Sequence, residues 1–172
     1  NAQTSAGTYT FTYNLCEVGA VPSNCDPATV KVTVSAPIIE AKPDTIAGGD
    51  GANGNTNAGN VLNNNGNGTD TLNGVNVTID QVNLTVTTPA TSIGGGPVPV
   101  VNTTTGQISV PVGTPAGVYT IVYQICEKLN PTNCSSSTIT ITILASGIDA
   151  VNDDYSATPI PSFPGGTTAS VI

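Results

Sequence analysis

The segment AGTYTFTYNLCE at residues 6–17 recurs as AGVYTIVYQICE at residues 116–127, and this recurrence is the strongest indication of the fold. The match continues from PSNC at 22–25 to PTNC at 131–134. The offset is 110 residues before this cysteine loop and 109 residues after it, so the two loops differ in length by one residue. Self-similarity at a fixed period indicates a repeat architecture, and a period of about 110 residues makes each unit as large as a domain.

The phase of the repeat divides the chain into three parts. Residues 1–35 match the C-terminal part of a unit, and residues 36–145 form one complete unit. Residues 146–172 match the N-terminal part of the next unit, where IDAVND (148–153) repeats IEAKPD (39–44). We therefore expect one whole domain between two partial ones, arranged as beads on a string within a longer tandem array.

Apolar residues alternate with polar ones along much of a unit, and β-branched residues dominate, which is typical of half-buried strands. About seven short strands are predicted per unit, at residues 38–46, near Val61, and at 74–79, 82–86, 107–112, 119–126 and 136–143. Seven antiparallel strands in such a length predict an all-β fold, an immunoglobulin-like β-sandwich. The alternation places the side chains of Tyr9, Tyr13, Tyr119 and Tyr123 on the core face, together with those of Val75, Val77 and Ile79.

Charged side chains are scarce. Only 8% of the residues are charged, the cations are three lysines, histidine is absent and the net charge is −8. Nucleic acids and anionic membrane surfaces both bind through clustered cations, so we expect no nucleic-acid partner and no direct membrane contact. Catalytic triads that use histidine are excluded. The composition predicts that the chain is not an enzyme.

Four cysteines allow three pairings. Repeat symmetry favours Cys16–Cys25 and Cys126–Cys134, and strand parity places both members of each pair on the outward face at the mouth of one hairpin. Zinc binding is the alternative, but cysteine pairs without histidine or a second nearby pair make a poor tetrahedral site. Disulfides in both units predict an oxidising, extracellular location.

Glu17 and Glu127 each follow the first cysteine of their loop. A catalytic acid is one interpretation of these glutamates. Because the glutamate recurs in both copies of the loop, we favour a role in stabilising that loop.

The junction after the complete unit is acidic and offers oxygen ligands. Asp149, Asn152, Asp153 and Asp154 resemble the Asp-x-Asn-Asp-Asn-x-Pro linker of cadherins, and this resemblance implies calcium bound between neighbouring units. Calcium requires six to eight oxygen ligands, so loops of both neighbours would have to contribute. A solvated polar linker is the alternative. The corresponding junction at residues 40–44 departs from the pattern because it contains Lys42.

Two tripeptides, Asp44-Thr45-Ile46 and Asp70-Thr71-Leu72, resemble the Asp-(Ser/Thr)-apolar site of O-glycosylation in Bacteroidetes. The resemblance implies glycans on Thr45 and Thr71. So short a pattern also arises by chance.

The cysteine-loop motif at 116–134, the TITITI run after it and the IDAVNDD junction are similar to the repeats of giant Bacteroidetes surface adhesins. Among these are the SprB-like gliding-motility adhesins of flavobacteria. The resemblance implies type IX secretion, a bacterial cell-surface location and a long filament that contacts surfaces or polysaccharides. In such a filament the nearest partners of each unit are neighbouring repeats of the same chain.

Two other functions remain open at the level of sequence. A carbohydrate-binding accessory module would need exposed aromatic side chains, and the predicted core positions of the tyrosines leave Tyr155 and Phe163 for this role. A pilus-type subunit completed by strand exchange is the second alternative.

Overall fold

In the computed structural model, residues 4–152, 154, 156, 157 and 167 are described, and the secondary structure of this part consists of strands and turns. The strands are β1 (Gly7–Cys16), β2 (Cys25–Val34), β3 (Ile39–Glu40), β4 (Asp44–Asp50), β5 (Asn55–Asn60), β6 (Thr71–Leu72), β7 (Val75–Asn76), β8 (Val82–Thr88), β9 (Val100–Val101), β10 (Gln107–Val110), β11 (Gly117–Glu127) and β12 (Cys134–Leu144). The described residues contain no helix that could cross a membrane.

The two copies of the cysteine-loop motif form the same hairpin. β1 pairs with β2 in an antiparallel register that runs from Gly7 opposite Val34 to Cys16 opposite Cys25. β11 pairs with β12 in the equivalent register, in which Cys126 lies opposite Cys134. The repeated segment therefore has the same structure in both copies.

The complete unit is an all-β sandwich, as predicted. One sheet has the strand order β4-β12-β11-β8 and the other has the order β5-β10-β9, while β3, β6 and β7 form a small third sheet. Buried apolar residues of both large sheets belong to one continuous core, so the sheets pack face to face. Removing this apolar surface from water is the main stabilising contribution to the unit.

The centre of the core comes from the alternating residues of β11 and β12. The odd-numbered apolar side chains of both strands are buried, and Ile121 lies directly opposite Ile139. Near the start of β11 the hydroxyl of Tyr119 donates a hydrogen bond to the carbonyl oxygen of Pro115 at 2.8 Å. This contact has the form of the tyrosine corner found in immunoglobulin-like sandwiches.

One strand pairing differs from the prediction. β4 pairs with β12 in parallel, from Asp44 beside Ile139 to Asp50 beside Leu144, whereas all pairs were expected to be antiparallel. Alternation of side chains reports which face is buried and carries no information on the direction of the neighbouring strand. The parallel pairing places the start of the unit near the Cys134 end of β12.

Several predicted strand positions were also wrong. The strand expected near Val61 is β5, which precedes that residue and consists of Asn, Thr, Ala and Gly, so it lacks the expected alternation. Val75 was expected in the core but is 68% exposed, because β7 is only two residues long and is an edge strand of the small third sheet. The strand predicted at 107–112 ends at Val110, since Pro111 has no N–H to donate.

The hairpin formed by β1 and β2 lacks the second sheet that covers β11 and β12. Tyr9 and Tyr13 were expected on the core face, yet both are exposed, and so is Phe11 between them. Their counterparts Tyr119 and Tyr123 are buried, as expected. The prediction for the hairpin tyrosines was wrong in this chain because a strand's apolar face is buried only where other elements pack against it.

Candidate functional site

The disulfide bonds close the ends of the two hairpins. Cys16 is bonded to Cys25 and Cys126 to Cys134, with Cα–Cα distances of 4.0 and 4.1 Å. This is the pairing that repeat symmetry and strand parity predict. Each bond joins residues directly opposite in the register, so the loop between them is closed on itself.

Glu127 organises the loop of the complete unit. It is 6% exposed, and its Oε2 atom accepts hydrogen bonds from Asn130 Nδ2 at 2.8 Å and from Asn133 Nδ2 at 3.1 Å. In the other copy, Glu17 is exposed and accepts one such bond, from Asn24 Nδ2 at 3.1 Å. The glutamates therefore stabilise the loop, as their recurrence suggested.

We expect Glu127→Ala to lower the free energy of unfolding by about 2 kcal/mol, because two amide groups lose a charged acceptor in a buried setting. Glu17→Ala is the matched control, and its effect should stay below about 1 kcal/mol since the site is solvated. Urea denaturation followed by circular dichroism measures both values. Equal losses in the two variants would contradict the role assigned to burial.

The N-terminal segment of the complete unit is attached to the 127–133 loop and its neighbours. Asn133 Nδ2 donates to the carbonyl oxygen of Pro37 at 2.8 Å, and the Ala41 amide donates to Ser135 Oγ at 3.0 Å. At the base of the first hairpin, the Ala6 amide donates to Asn130 Oδ1 at 2.6 Å. We call the surface formed by residues 37–42 and 127–133 the junction face.

A polar cluster lies buried beneath the junction face. Asp44 and Asp70 are 2% and 1% exposed, and the hydroxyl of Tyr123 lies 3.1 Å from both carboxylate oxygens of Asp70. Asn65 Nδ2 donates to Asp44 Oδ1 at 2.7 Å, and the Lys42 amide donates to Asp70 Oδ1 at 2.7 Å. Sequence reasoning did not find this cluster. The tripeptides that contain both aspartates were the only signal.

The segment that contains the predicted calcium ligands follows the other end of β12 in the chain. Asp149, Asn152 and Asp154 are exposed, and Asp153 lies outside the described residues. Asp154 Oδ1 accepts a hydrogen bond from the Ser156 amide at 2.8 Å, and hydrogen bonds from Ser156 hold the pKa of Asp154 below its ordinary value. Among the described residues, no three acidic, histidine or cysteine side chains converge as metal ligands. The described residues thus give no preformed calcium site, and the calcium hypothesis stays a prediction.

The two threonines of the glycosylation tripeptides differ in accessibility. Thr45 is exposed on β4. The Oγ1 atom of Thr71 is buried and has no hydrogen-bond partner. Because a glycan cannot be attached to a hydroxyl enclosed by protein, the folded unit offers Thr45 and does not offer Thr71.

A surface cavity of about 420 Å³ lies between residues 53–56 and 109–112. Its lining side chains are amides, hydroxyls and small apolar groups, without a charged residue. An acid–base pair or a nucleophile with its activating base is therefore not present in this cavity. Tyr155 and Phe163, the expected aromatic residues of a sugar site, lie outside the described residues.

Three solved structures are similar to part of this fold. The protocadherin gammaB4 extracellular domain is 16% identical with a TM-score of 0.41, and the match covers 80% of this chain and 20% of that one. The human desmocollin-1 ectodomain is 13% identical with a TM-score of 0.44, covering 77% and 26%. The protocadherin gammaB7 EC3-6 cis-dimer structure is 12% identical with a TM-score of 0.41, covering 81% and 32%.

The chain thus spans about a third or less of the length of these structures. No protein-family model matches the sequence, and no curated protein matches it.

Proposed function

We propose that the chain is a structural repeat of a long extracellular adhesion filament, in which each unit acts as a spacer. The observation that carries this proposal is the position of the two linkers on the complete unit. The chain enters the unit beside the 127–133 loop, where Asn133 contacts Pro37. At the other end of β12, the hydroxyl of Ser146 donates to Asp50 Oδ1 at 2.6 Å.

The two ends of the unit are therefore separated by the length of β12. This strand has 11 residues, and at a rise of about 3.3 Å per residue it is roughly 35 Å long. A unit whose chain enters at one end and leaves at the other extends an array with every added copy. A unit with both linkers on one side would instead fold the array back on itself.

The proposed domain limits are residues 1–35, 36–145 and 146–172. The hairpin at 1–35 supports the first limit, because it has the register of β11 and β12 and an uncovered apolar face of the same pattern. Neighbouring repeats of the same chain are the proposed partners. The contact between Ala6 and Asn130 is consistent with direct packing at the junction face.

The proposed location is the bacterial cell surface, and gliding motility with type IX secretion is the setting that the resemblance to giant surface adhesins implies. Two disulfides support an oxidising extracellular compartment. The surface or polysaccharide that the filament contacts would be bound elsewhere along the array.

Small-angle scattering of chains with one, two and four units tests the spacer function. In these chains residues 36–154 are followed by further copies of residues 46–154, so that residues 146–154 take the place of residues 37–45 in each added unit. The maximum dimension should increase by about 35–40 Å per copy, as the length of the strands requires. If the maximum dimension instead increased only as the cube root of the mass, the units would form a compact assembly, and this would contradict the proposal.

The same chains test the calcium hypothesis. If calcium joins Asp149, Asp153 and Asp154 to the next unit, chelation should shorten the two-copy chain, and Asp153→Asn should reproduce this change. A two-unit chain that is joined through the Glu40 junction should change little in length on chelation, because Lys42 places a cation at that junction. Superimposable profiles with calcium and with chelator would identify the junction as a solvated linker, and the rigidity of the array would then have to come from direct packing between units.

A further inference from the structure

We propose that the buried carboxyl groups of Asp44 and Asp70 together carry one bound proton, and that this proton holds the first long strand of the unit, β4, in place. The proposal is independent of the spacer function. In this proposal the stability of the structure beneath the junction face depends on pH, because β4 is held while the proton is bound and is released when the proton is lost.

The cluster connects four separate segments of the unit. Asp44 is the first residue of β4, Asp70 directly precedes β6, Asn65 lies in the loop after β5, and Tyr123 lies in the middle of β11. Asp44 and Tyr123 are separated by most of the unit in sequence. Breaking the contacts of this cluster would therefore release β4 and the loop that follows it from the rest of the sandwich.

The hydrogen bonds of the cluster lack one donor. The hydroxyl oxygen of Tyr123 lies 2.9 Å from the carbonyl oxygen of Lys42 and 3.4 Å from that of Val61. The two Asp70 oxygens, each at 3.1 Å, bring the number of neighbouring acceptors to four. A phenol carries a single hydrogen, so it can donate fully to only one of them.

A second deficit is found at Asp44. Its Oδ1 atom accepts the Asn65 amide, but its Oδ2 atom is buried without a partner. A buried, unpaired carboxylate oxygen is strongly unfavourable. One proton on the carboxyl pair relieves either deficit. On Asp70 it is a donor to the Tyr123 hydroxyl oxygen, and on Asp44 it removes the charge from the carboxyl group whose Oδ2 atom is unpaired.

A metal ion fits this place less well than a proton. The point equidistant from the two Asp70 oxygens, where a cation would bind, is occupied by the hydroxyl oxygen of Tyr123. The Asn65 and Lys42 N–H groups also point at the carboxylates. Calcium ligands are oxygens with free lone pairs directed at the ion.

The charged and titratable groups around Asp44 are few. Asp70 and Tyr123 belong to the cluster, and Lys42 is near enough to lower the pKa of Asp70. The ammonium group of Lys42 itself lies 3.1 Å from Glu40 on the surface. No described contact brings this cation to Asp44, so a proton is the remaining source of positive charge.

The direction of the pKa shifts agrees with this geometry. Burial raises the pKa of Asp44 to about 7, although the hydrogen bond from Asn65 opposes the shift. Burial likewise raises the pKa of Asp70 to about 6. A carboxyl group whose pKa is raised on folding contributes stability that is complete below its unfolded pKa, near 3.8, and that is lost as the pH rises through the folded pKa. The unit should therefore lose stability between about pH 4 and pH 7.

Thermal melting of the full chain from pH 5 to pH 8 in the presence of a chelator tests the proposal. We expect the melting temperature to fall by about 5 °C or more over this range. Asp44→Asn, which keeps a neutral side chain at every pH, should abolish most of this fall and raise the melting temperature at pH 8. Asp80→Asn is the matched control, because Asp80 is exposed, and it should keep the wild-type pH dependence.

Hydrogen exchange and a carbon-13 titration locate the effect. Protection of the β4 amides, corrected for intrinsic exchange, should fall more at high pH than protection of the β11 amides. In the wild-type chain one aspartate carboxyl carbon should titrate above pH 5.5, a readout that does not depend on folding of the variant.

The proposal is overturned if no aspartate carboxyl carbon titrates above pH 5.5, or if the pH dependence of the melting temperature persists in Asp44→Asn. It is also overturned if calcium at pH 8 stabilises the wild-type chain as much as protonation and leaves Asp44→Asn unchanged, since this would show a cation site.

Discussion

Ile121→Ala is expected to lower the free energy of unfolding of the complete unit by about 2–5 kcal/mol, the range for truncating a large aliphatic side chain in a core. Ile121 is 1% exposed, lies in the middle of β11 and faces Ile139 across the sheet. Its removal would leave a cavity between the two sheets that the surrounding strands cannot close. Chemical denaturation followed by circular dichroism provides the measurement.

Phe11→Ala is the matched control, because Phe11 occupies the same position of the repeat in β1. Phe11 is 55% exposed, so its truncation should cost less than about 1 kcal/mol and leave the melting of the complete unit unchanged. A cost as large as that of Ile121→Ala would mean that the hairpin face is covered in solution. Sedimentation of the wild-type chain would then show whether a second copy covers it.

Fusing a second copy of residues 36–115 ahead of residue 6 is expected to convert the first hairpin into a complete sandwich. The added residues supply the equivalents of β3 to β10, which the face formed by Phe11, Tyr9 and Tyr13 lacks. A two-stranded hairpin is marginal by itself, whereas a sandwich domain has about 5 kcal/mol or more of stability. The β1 amides that pair with β2 should therefore gain hydrogen-exchange protection of this order.

Two variants of the fused chain decide whether the added strands act as a sandwich partner. Ile46→Asp with Ile108→Asp in the added copy places charges in its core and should leave β1 as weakly protected as in the original chain. Phe11→Ala should become as costly in the fused chain as Ile121→Ala. If protection of β1 does not change on fusion, residues 1–35 do not belong to such a unit.

The features predicted correctly from the sequence are those with local causes. In both copies the amide of the glutamate after the first cysteine donates to the backbone oxygen of the asparagine before the second, at 2.8 Å for Glu17 and 3.0 Å for Glu127. The hairpin register and the disulfide are also the same in both copies. Since β1–β2 is exposed and β11–β12 is buried, these features do not depend on packing by the rest of a unit.

The features that sequence reasoning missed depend on contacts between distant segments. β5 is a strand although its composition is polar, because β10 pairs with it. The parallel pairing of β4 with β12 joins residues about one unit apart. In the sequence, Asp44 and Asp70 stood out only as the first residues of two glycosylation tripeptides, and the approach of Tyr123 from β11 makes them part of a buried cluster.

The repeat, the strand alternation and the pairing of the cysteines could be predicted from the order of side chains along the chain, without knowing what packs against them. Which apolar faces are buried depends on the tertiary packing. Tyr13 and Tyr123 occupy equivalent positions, yet one is half exposed and the other completely enclosed. The free energy of burial and the pKa of a carboxyl group both depend on what packs against a side chain, and that neighbour is supplied by a segment far away in the sequence.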